Sequence, residues 1–331
     1  MAADDRRTLS PGKMRGLAAA STRGGVFCIL ALDHRDSLRV MIDPKTPAAV
    51  PARTLTDLKL ELLGELATEA TAVMVDPEYG AAQAIVTRSL PGSVGFLVAL
   101  EAQGYLGDPN ARQTSLLDGW SVEKANRLGA SGIKLLVLYR PDAGAITEVQ
   151  DRMISAVISD CARFDVPLFL EPLAYLRESE RASDPAGAAA RRRSIVVETV
   201  HRLGALGPDV LKVQFPLDAR HEPDRAVWAD ACAELDEAAP VPWALLSGGE
   251  PYELFLEQVS IACSAGASGF MVGRALWREV VTARPEDRSP IIEHTMRPRL
   301  RELARVAGDQ GRDWAMSSEP ATIDESWYLT Y

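Results

Sequence analysis

The sequence has 331 residues, of which 47% are hydrophobic and 25% are charged, proportions typical of a globular protein and not of a disordered or fibrous one. The formal net charge of -10 gives no electrostatic reason to expect nucleic acid or an anionic membrane as a partner. The N-terminal segment lacks the apolar stretch of a signal peptide, and no run of about 18 apolar residues occurs. We therefore expect a cytoplasmic protein.

Short apolar segments alternate with amphipathic segments along the chain. Each apolar segment is bounded by Gly, Pro or a polar residue, and its continuous apolar character is typical of a parallel strand covered on both faces. The amphipathic segments between them, such as the one that begins at Thr54, carry helix signals. The predicted strands are Val26–Asp33, Thr71–Asp76, Gly95–Glu101, Gly132–Tyr139, Pro167–Leu173, Val210–Pro216, Pro242–Gly249 and Gly269–Ala275.

Eight strands in regular alternation with helices predict a closed (β/α)8 barrel, the TIM-barrel fold. A doubly wound sheet would usually carry a GxGxxG turn after its first strand, and none follows Val26–Asp33. We expect one domain over residues 1–331, with the barrel at about 14–285 and a C-terminal extension at about 286–331. The aromatic end of this extension, SWYLTY, is expected to pack on the barrel or on a second subunit of a homo-oligomer.

Two polar segments interrupt the alternation of strands and helices. Gln103–Asp118 and Arg177–Arg193 each follow a strand end and are rich in turn-forming and small residues, which predicts loops over the mouth of the barrel. The second segment ends in the basic run Arg191–Arg193, which we interpret as a solvated helix start or loop without a function of its own.

The carboxyl ends of the strands carry the candidate chemistry, because a barrel of this kind builds its active site from these ends and the loops that follow. Side chains alternate between the two faces of a strand, and the inward set at the barrel mouth is polar. This set comprises Asp33, Asp76, Glu101, Lys134, Glu171, Lys212 and Ser247.

Lys212 is flanked by apolar residues inside a predicted strand, where a lysine is rarely left unless it is paired or used. Burial beside a second cation, here Lys134, is a usual way to turn a lysine amine into a nucleophile toward a carbonyl group. The alternative is a buried ion pair with Glu171 or Glu101. The density of carboxylates around the lysine favours the catalytic interpretation.

Glu171 lies on the predicted strand between the two lysines and is our candidate general acid and base, with a structural partnership to a lysine as the alternative. Asp33 and Arg35 follow the first strand and, together with Glu101, are candidates for binding substrate hydroxyls or an anionic group; a solvated loop is the alternative for Arg35. Asp76 and Glu78 are weaker candidates, because Asp-Pro also opens turns.

An anion site is predicted after the last two strands. Loops at these positions of a barrel often bind phosphate through backbone N–H groups, and an arginine would add a charged clamp. Glycines also serve tight turns, which is the structural alternative. The residues concerned are Ser247, Gly248, Gly249, Gly273 and Arg274.

Metal catalysis is the main chemical alternative, but of the four histidines only His34 lies near a predicted strand end. Mg²⁺ bound by the carboxylates is conceivable, although the inward lysines would compete with it for the same oxygens. The four cysteines lack CxxC spacing and are predicted to be reduced, buried small hydrophobes: Cys28, Cys161, Cys232 and Cys263.

The segments ALDHRDSL, VMVDPEYG, GIKLLVLY, FLEPL, DVLKVQFP, LLSGGEPYELF and AGASGFMVGRALW occur in this order between about residues 14 and 285. In order, spacing and strand-end position they resemble the tagatose 1,6-diphosphate aldolase family of class I aldolases, which includes the sulfofructosephosphate aldolases. The resemblance implies a barrel that needs no metal or other cofactor and cleaves a ketose phosphate to dihydroxyacetone phosphate and an aldehyde. It further implies a Schiff-base lysine at Lys212, catalytic or substrate-contacting roles for Asp33, Lys134 and Glu171, and anion binding at Ser247, Gly248 and Arg274.

One residue departs from this family pattern, and a second distinguishes between two branches of the family. Gln214 stands where the family carries an acidic residue, and the less acidic site would suit a substrate with two anionic ends. Arg140 resembles the sulfosugar branch of the family more than the tagatose branch. The expected substrate is a ketose phosphate such as tagatose 1,6-bisphosphate, fructose 1,6-bisphosphate or 6-sulfofructose 1-phosphate. A transaldolase that uses the same lysine and a non-catalytic barrel that binds sugar phosphates are the alternatives.

Overall fold

The computed structural model of the chain describes residues 7–183, 185–329 and 331. Its strands within this part of the chain are β1 Arg7–Leu9, β2 Phe27–Leu32, β3 Ala72–Val75, β4 Gly95–Ala99, β5 Leu106–Asp108, β6 Ala111–Gln113, β7 Gly132–Tyr139, β8 Leu168–Ala174, β9 Val210–Val213, β10 Trp243–Leu246, β11 Gly269–Val272 and β12 Ser318–Pro320. Eight of them are parallel and close into a barrel in the order β2, β3, β4, β7, β8, β9, β10, β11. The predicted (β/α)8 barrel is confirmed.

The helices of the described residues surround the barrel strands, except that the first of them precedes β2 and packs against the inner core. They are α1 Pro11–Ala20, α2 Asp36–Ile42, α3 Ala52–Leu66, α4 Ala81–Val86, α5 Val122–Arg127, α6 Ala145–Arg163, α7 Glu178–Ser183, α8 Pro185–Gly204, α9 Arg225–Ala238, α10 Tyr252–Ala265, α11 Arg274–Thr282, α12 Pro285–Ile291 and α13 Arg297–Gln310. None of the helices in the described ranges is long and apolar enough to cross a membrane.

Side-chain alternation divides the apolar residues of the strands between two cores. In β2, Phe27 and Ile29 point into the barrel, whereas Cys28 and Leu30 pack against the surrounding helices. Both faces of each strand are therefore buried, which is why the strands read as continuous apolar segments in the sequence. All eight predicted strands are confirmed, with ends that shift by a few residues.

The two polar segments differ from the prediction. Gln103–Asp118 leaves the barrel as expected, but it contains the antiparallel hairpin of β5 and β6. The expectation of a loop over Arg177–Arg193 was wrong, because this segment is largely helical and contributes α7 and the beginning of α8. Five of its residues are alanine and one is glycine, and alanine has the highest helix propensity.

The C-terminal extension closes the amino-terminal end of the barrel. Trp314 is buried in the inner core and donates a hydrogen bond from Nε1 to Ser21 Oγ at 3.0 Å, and β12 pairs in parallel with β1. The final aromatic residues are more exposed: Trp327 is 40% and Tyr331 69% accessible, although the Tyr331 hydroxyl bonds to Asp165. Trp314 thus packs on the barrel, whereas a contact of the aromatic end with a second subunit of a homo-oligomer stays a prediction.

The four cysteines are buried and free, as expected for small hydrophobes. Burial raises the pKa of Cys28, Cys232 and Cys263 to about 12. These thiols are therefore protonated and unreactive at neutral pH.

One charge predicted at the barrel mouth has a structural partner instead. Asp76 follows β3, is fully buried, and forms an ion pair with Lys59 of α3, while its second oxygen accepts the backbone N–H of Tyr79 at 2.7 Å. Burial lowers the pKa of Lys59, an effect that the charge of Asp76 partly offsets. The pair attaches α3 to the barrel, so the expectation that Asp76 faces the active site was wrong.

We expect Lys59→Met to lower the free energy of unfolding by about 3–5 kcal/mol, because it leaves the buried Asp76 without its counterion. The control is Arg53→Met on the same helix, which breaks an exposed ion pair with Asp57 of 3.3 Å and should change stability by no more than about 0.5 kcal/mol. Urea unfolding of both variants makes the comparison. Equal effects would contradict a structural role for the buried pair.

Candidate active site

The central charged residues of the site lie on three neighbouring strands. Lys134 lies on β7, Glu171 on β8 and Lys212 on β9. In the register of β8 and β9, Leu170 pairs with Leu211, so the next residues of the two strands, Glu171 and Lys212, stand side by side. The strand order thus brings together side chains that are far apart in the sequence.

Lys212 is only 4% exposed, and its Nζ lies 2.8 Å from Glu171 Oε2 and 3.5 Å from the sulfur of Met74. The amine is therefore surrounded by the barrel wall and has one charged neighbour within hydrogen-bonding distance. The ion pair that we considered as the alternative for Lys212 does form, and it is with Glu171. It does not exclude catalysis, because an acid and base group must itself lie at this distance from the reacting amine.

Lys134 is held by three carboxylates. Its Nζ lies 2.6 Å from Asp33 Oδ2, 2.5 Å from Glu101 Oε1 and 3.1 Å from Glu171 Oε2. Burial by itself would lower the pKa of Lys134, but the three negative charges outweigh it and raise this pKa well above the ordinary value. Lys134 is therefore positively charged at neutral pH.

The pKa of Asp33 shifts in the opposite direction to that of Lys134. Burial would raise the pKa of Asp33, but the nearby charges of Lys134 and Lys212 hold it well below its usual range. Asp33 Oδ1 is buried and has no hydrogen-bond partner in the described part of the chain. It is an ionised acceptor with an unused position, which suits a substrate hydroxyl group.

The predicted second cation is present beside Lys212, since both ammonium groups contact the same oxygen of Glu171. Its charge is matched, however, by the two further carboxylates of Asp33 and Glu101. The cluster therefore contains two cations and three anions.

The predicted anion site lies after β10 and β11. The Ser247 hydroxyl accepts the backbone N–H of Gly273 at 3.2 Å, and Gly248 and Gly249 have φ values of +56° and +83°, which favour glycine. Arg274 opens α11 and donates to the carbonyl of Gly248 at 3.4 Å. No carboxylate of the described residues forms an ion pair with it, and burial lowers its pKa. Backbone N–H groups, a hydroxyl and an unpaired guanidinium are thus brought together.

A cavity of about 300 Å³ opens above Lys212 and joins these two groups. Lys212 and Glu171 form part of its wall. Lys134, which contacts Glu171, and Asp33, which contacts Lys134, lie behind this wall. The lining residues are Ala31, His34, Arg112, Leu138, Glu171, Leu173, Ala174, Tyr175, Arg192, Lys212, Gln214, Leu246, Ser247, Gly248, Gly249, Met271, Gly273 and Arg274.

Arg35 and Glu101, two predicted substrate ligands, lie behind this cavity. The Arg35 side chain is 1% exposed and donates to Glu78 Oε2 and to the carbonyl oxygen of Glu101, both at 2.7 Å. The Glu101 carboxylate accepts from Lys134 and from the backbone N–H of Leu136 at 3.0 Å. Their hydrogen bonds are used within the protein, and we do not propose that either binds substrate.

Arg140, the position that resembled the sulfosugar branch, also has internal partners. Its guanidinium pairs with Asp142 and Glu180 at 2.6 Å and donates to the carbonyl of Tyr175 at 3.1 Å. It fastens α7 to the end of β7 and does not line the cavity. The hint of a sulfosugar substrate therefore loses this support.

Four lining residues were not singled out as ligands in the sequence: His34, Arg112, Tyr175 and Arg192. The position of His34 next to the end of the first strand could have identified it as a lining residue of the cavity. Nothing local marks Arg112 or Arg192, because each is brought to the cavity by the hairpin or helix that carries it.

His34 is neutral in the folded protein. Burial lowers its pKa to about 3, partly offset by Asp33 and reinforced by the positive charges of Arg274, Lys212 and Lys134. Its ring packs edge-on against Trp277, with centroids 4.9 Å apart. The imidazole is thus a neutral hydrogen-bonding group beside a charged cluster.

We expect stability to fall below pH 6.5, because the unfolded chain then takes up a proton that folded His34 does not accept until about pH 3. Between pH 7.5 and pH 5.0 the wild type should lose up to about 2 kcal/mol more than His34→Gln. Urea unfolding at the two pH values measures the difference. His201→Gln, at an exposed histidine, is the control, and an equal loss in all three proteins would contradict the assignment.

Comparisons with known proteins agree with this geometry. Residues 27–279 match the model of the DeoC/LacD family of aldolases. The tagatose 1,6-diphosphate aldolases of Streptococcus agalactiae serotype V and Lactococcus lactis subsp. lactis are 30% and 29% identical over 285 and 282 residues, which is 81% of this chain and 86% of each relative. A Schiff-base-forming fructose-1,6-bisphosphate aldolase superposes with a TM-score of 0.58 at 21% identity, covering 88% of this chain and 98% of that one. The chain therefore belongs to the DeoC/LacD family and is a class I aldolase, a carbon–carbon lyase.

Proposed function

We propose that the protein cleaves a ketose 1-phosphate to dihydroxyacetone phosphate and an aldehyde, with Lys212 as the residue that forms the Schiff base. The observation that carries the proposal is the contact between the buried amine of Lys212 and Glu171 Oε2, 2.8 Å apart, at the wall of a cavity of about 300 Å³. A nucleophile and its acid and base group within hydrogen-bonding distance are what Schiff-base formation needs.

The reaction follows from the positions of these groups. The Glu171 carboxylate takes a proton from the Lys212 ammonium group, the free amine adds to the C2 carbonyl, and Glu171 returns the proton to the carbinolamine hydroxyl, which leaves as water. The C3–C4 bond then breaks, its electron pair moves into the iminium group, and the C4 hydroxyl gives up its proton to the Glu171 carboxylate as the aldehyde leaves. Protonation of the resulting enamine at C3 and addition of water return dihydroxyacetone phosphate and the free amine.

Lys134 and Asp33 support these steps in the proposal. The charged Lys134 lies 3.1 Å from Glu171 Oε2 and 2.6 Å from Asp33 Oδ2 and fixes both carboxyl groups at the end of the cavity that contains Lys212. The unused oxygen of Asp33 accepts a hydroxyl of the bound substrate. Both residues therefore position and polarise the substrate, while Glu171 moves the proton.

The C1 phosphate would bind after β10 and β11. Ser247, the glycines 248, 249 and 273 and the unpaired guanidinium of Arg274 offer both the hydrogen-bond donors and the positive charge for a phosphate. Fixing this end places C2 over Lys212. The relatives named tagatose 1,6-diphosphate aldolase support a ketose bisphosphate as the substrate. A cytoplasmic location stays a prediction.

We expect sodium borohydride with dihydroxyacetone phosphate to leave a stable adduct on the peptide that contains Lys212, because reduction traps the iminium. Mass spectrometry of the digest locates the modification. Lys212→Arg, which keeps the positive charge beside Glu171, is the control and should give no adduct and no cleavage. EDTA should not change the activity of the wild type.

An adduct on Lys134, or no adduct at all in an active enzyme, would overturn the assignment of Lys212. Free dihydroxyacetone phosphate released without an added acceptor aldehyde distinguishes the aldolase from a transaldolase. Tight sugar-phosphate binding with neither an adduct nor turnover would instead support the non-catalytic barrel.

We expect Glu171→Gln to lower kcat by about 10²- to 10⁴-fold, since the amide keeps the size of the side chain but cannot exchange the proton. Thermal unfolding of the variant verifies that the fold is intact. Gln214→Glu serves as a control on the same cavity, because it adds a carboxylate without removing the proton-transfer group. Full activity of Glu171→Gln would assign the proton transfer to another residue.

A further inference from the structure

Three successive arginines at positions 191–193 of α8 have different surroundings. Arg193 pairs with Glu234 Oε2 at 2.5 Å and Asp230 Oδ2 at 2.7 Å on α9, and Arg191 is exposed. Arg192 is turned inward and lines the cavity above Lys212. Successive residues of a helix point about 100° apart, so only one of the three can face the barrel mouth.

Arg192 has no counterion among the residues that the structure describes. Its one hydrogen bond there runs from Nη2 to the carbonyl oxygen of Phe215 at 3.4 Å, and its Nε is buried without a partner. Burial lowers the pKa of Arg192, and the more distant charges of Asp218 and Glu250 offset this only in part. A half-buried guanidinium whose Nε is buried and that has no carboxylate partner is costly unless a ligand supplies the anion.

The nearest candidate for a counterion is already used. Asp218 lines a second cavity, of about 530 Å³, to which Arg192 also contributes. Both Asp218 oxygens, however, bind Arg220, at 2.9 and 2.7 Å. Arg192 thus stands where two cavities meet and carries an unmatched positive charge.

Arg192 and Arg274 lie on different sides of Lys212. Arg192 belongs to the helix after β8 and touches the segment that follows β9, whereas Arg274 follows β11. Lys212 is on β9, so a phosphate held at Arg274 directs the remaining carbons of an extended ketose toward the wall that contains Arg192. This wall is where the aldehyde half of the substrate would lie.

Arg112 strengthens the positive charge of that wall. Its guanidinium stacks on Tyr175 and Tyr105 at 4.7 and 5.0 Å, and its Nε donates to the carbonyl of Pro109 at 2.9 Å. The described residues offer it no carboxylate partner. The stacking fixes the orientation of the guanidinium at the edge of the cavity.

We propose that Arg192, with Arg112 beside it, binds an anionic group at the end of the aldehyde half of the substrate, a phosphate or a sulfonate, and thereby sets the preference for a doubly anionic ketose. This inference rests on the proposed aldolase reaction. It assigns Arg192 to substrate specificity and gives it no part in the chemistry at Lys212.

The test uses condensation of dihydroxyacetone phosphate with three aldehydes: glyceraldehyde 3-phosphate, 3-sulfolactaldehyde and uncharged glyceraldehyde. Arg192→Met should lower kcat/KM for the preferred anionic aldehyde by roughly 10- to 100-fold, mainly through KM, because charge-assisted hydrogen bonds are lost. The kcat/KM for glyceraldehyde should change by less than about threefold, because this aldehyde has no anionic group that could contact Arg192. Arg191→Met removes the same charge from an exposed neighbour and should change neither value.

The two charged aldehydes separate phosphate from sulfonate as the preferred group. An equal effect of Arg192→Met on charged and uncharged aldehydes, or no effect on any, would overturn the proposal. The borohydride adduct with dihydroxyacetone phosphate is measured in parallel: it should form at Lys212 in wild type and Arg192→Met alike, and its absence from the wild type would reject the proposed function itself.

If Arg192→Met fails to fold, Arg192→Lys keeps the charge but removes the planar pair of donors. The lysine variant should retain the adduct and still lose selectivity for the anionic aldehyde by about threefold or more. Unchanged selectivity in this variant would overturn the assignment of Arg192.

Discussion

Ion pairs between buried charged side chains hold the mouth of this barrel together. The carboxylates of Asp33, Glu101 and Glu171 compensate the burial of Lys134 and Lys212, and the two lysines in turn compensate the burial of the carboxylates. Glu171 is common to both ammonium groups, so any change of charge on the Lys212 amine acts directly on it. Because the residues stand on adjacent strands, the rigidity of the barrel fixes these distances before a substrate arrives.

The same electrostatic argument separates two kinds of buried charge in the protein. Lys59 with Asp76 and Arg140 with Glu180 are satisfied within the chain, and each pair fastens a helix to the barrel. Because the donors and acceptors of such a pair are already used, the pair is not available to bind a ligand. Arg192, which lines the cavity without a carboxylate partner among the described residues, keeps hydrogen-bond donors free for a ligand. Charge balance therefore distinguishes structural arginines from candidate ligands more clearly than burial does.

The two ends of the barrel have different roles, one in stability and one in chemistry. At the amino-terminal end, Trp314, Leu9 and Leu17 form an apolar cluster that the pairing of β1 with β12 covers. At the carboxyl-terminal end, the loops and the starts of helices bring polar groups around an open cavity. Stability is thus built into one end and chemistry into the other, so a loop or a substrate-binding arginine at the mouth can vary without disturbing the closure of the barrel.

The sequence alone determined the eight strands and the residues Lys134, Glu171 and Lys212, because strands buried on both faces must be apolar and a charge within them stands out. It could not show whether a charged side chain near a strand end faces the cavity or the surrounding protein, and only the structure gives Asp76 and Arg35 their internal partners, Lys59 and Glu78. Arg192 was hidden for the same reason: three arginines in a row look alike until the packing of α8 decides which one points inward. That decision belongs to contacts between elements distant in the chain, and only the tertiary structure contains them.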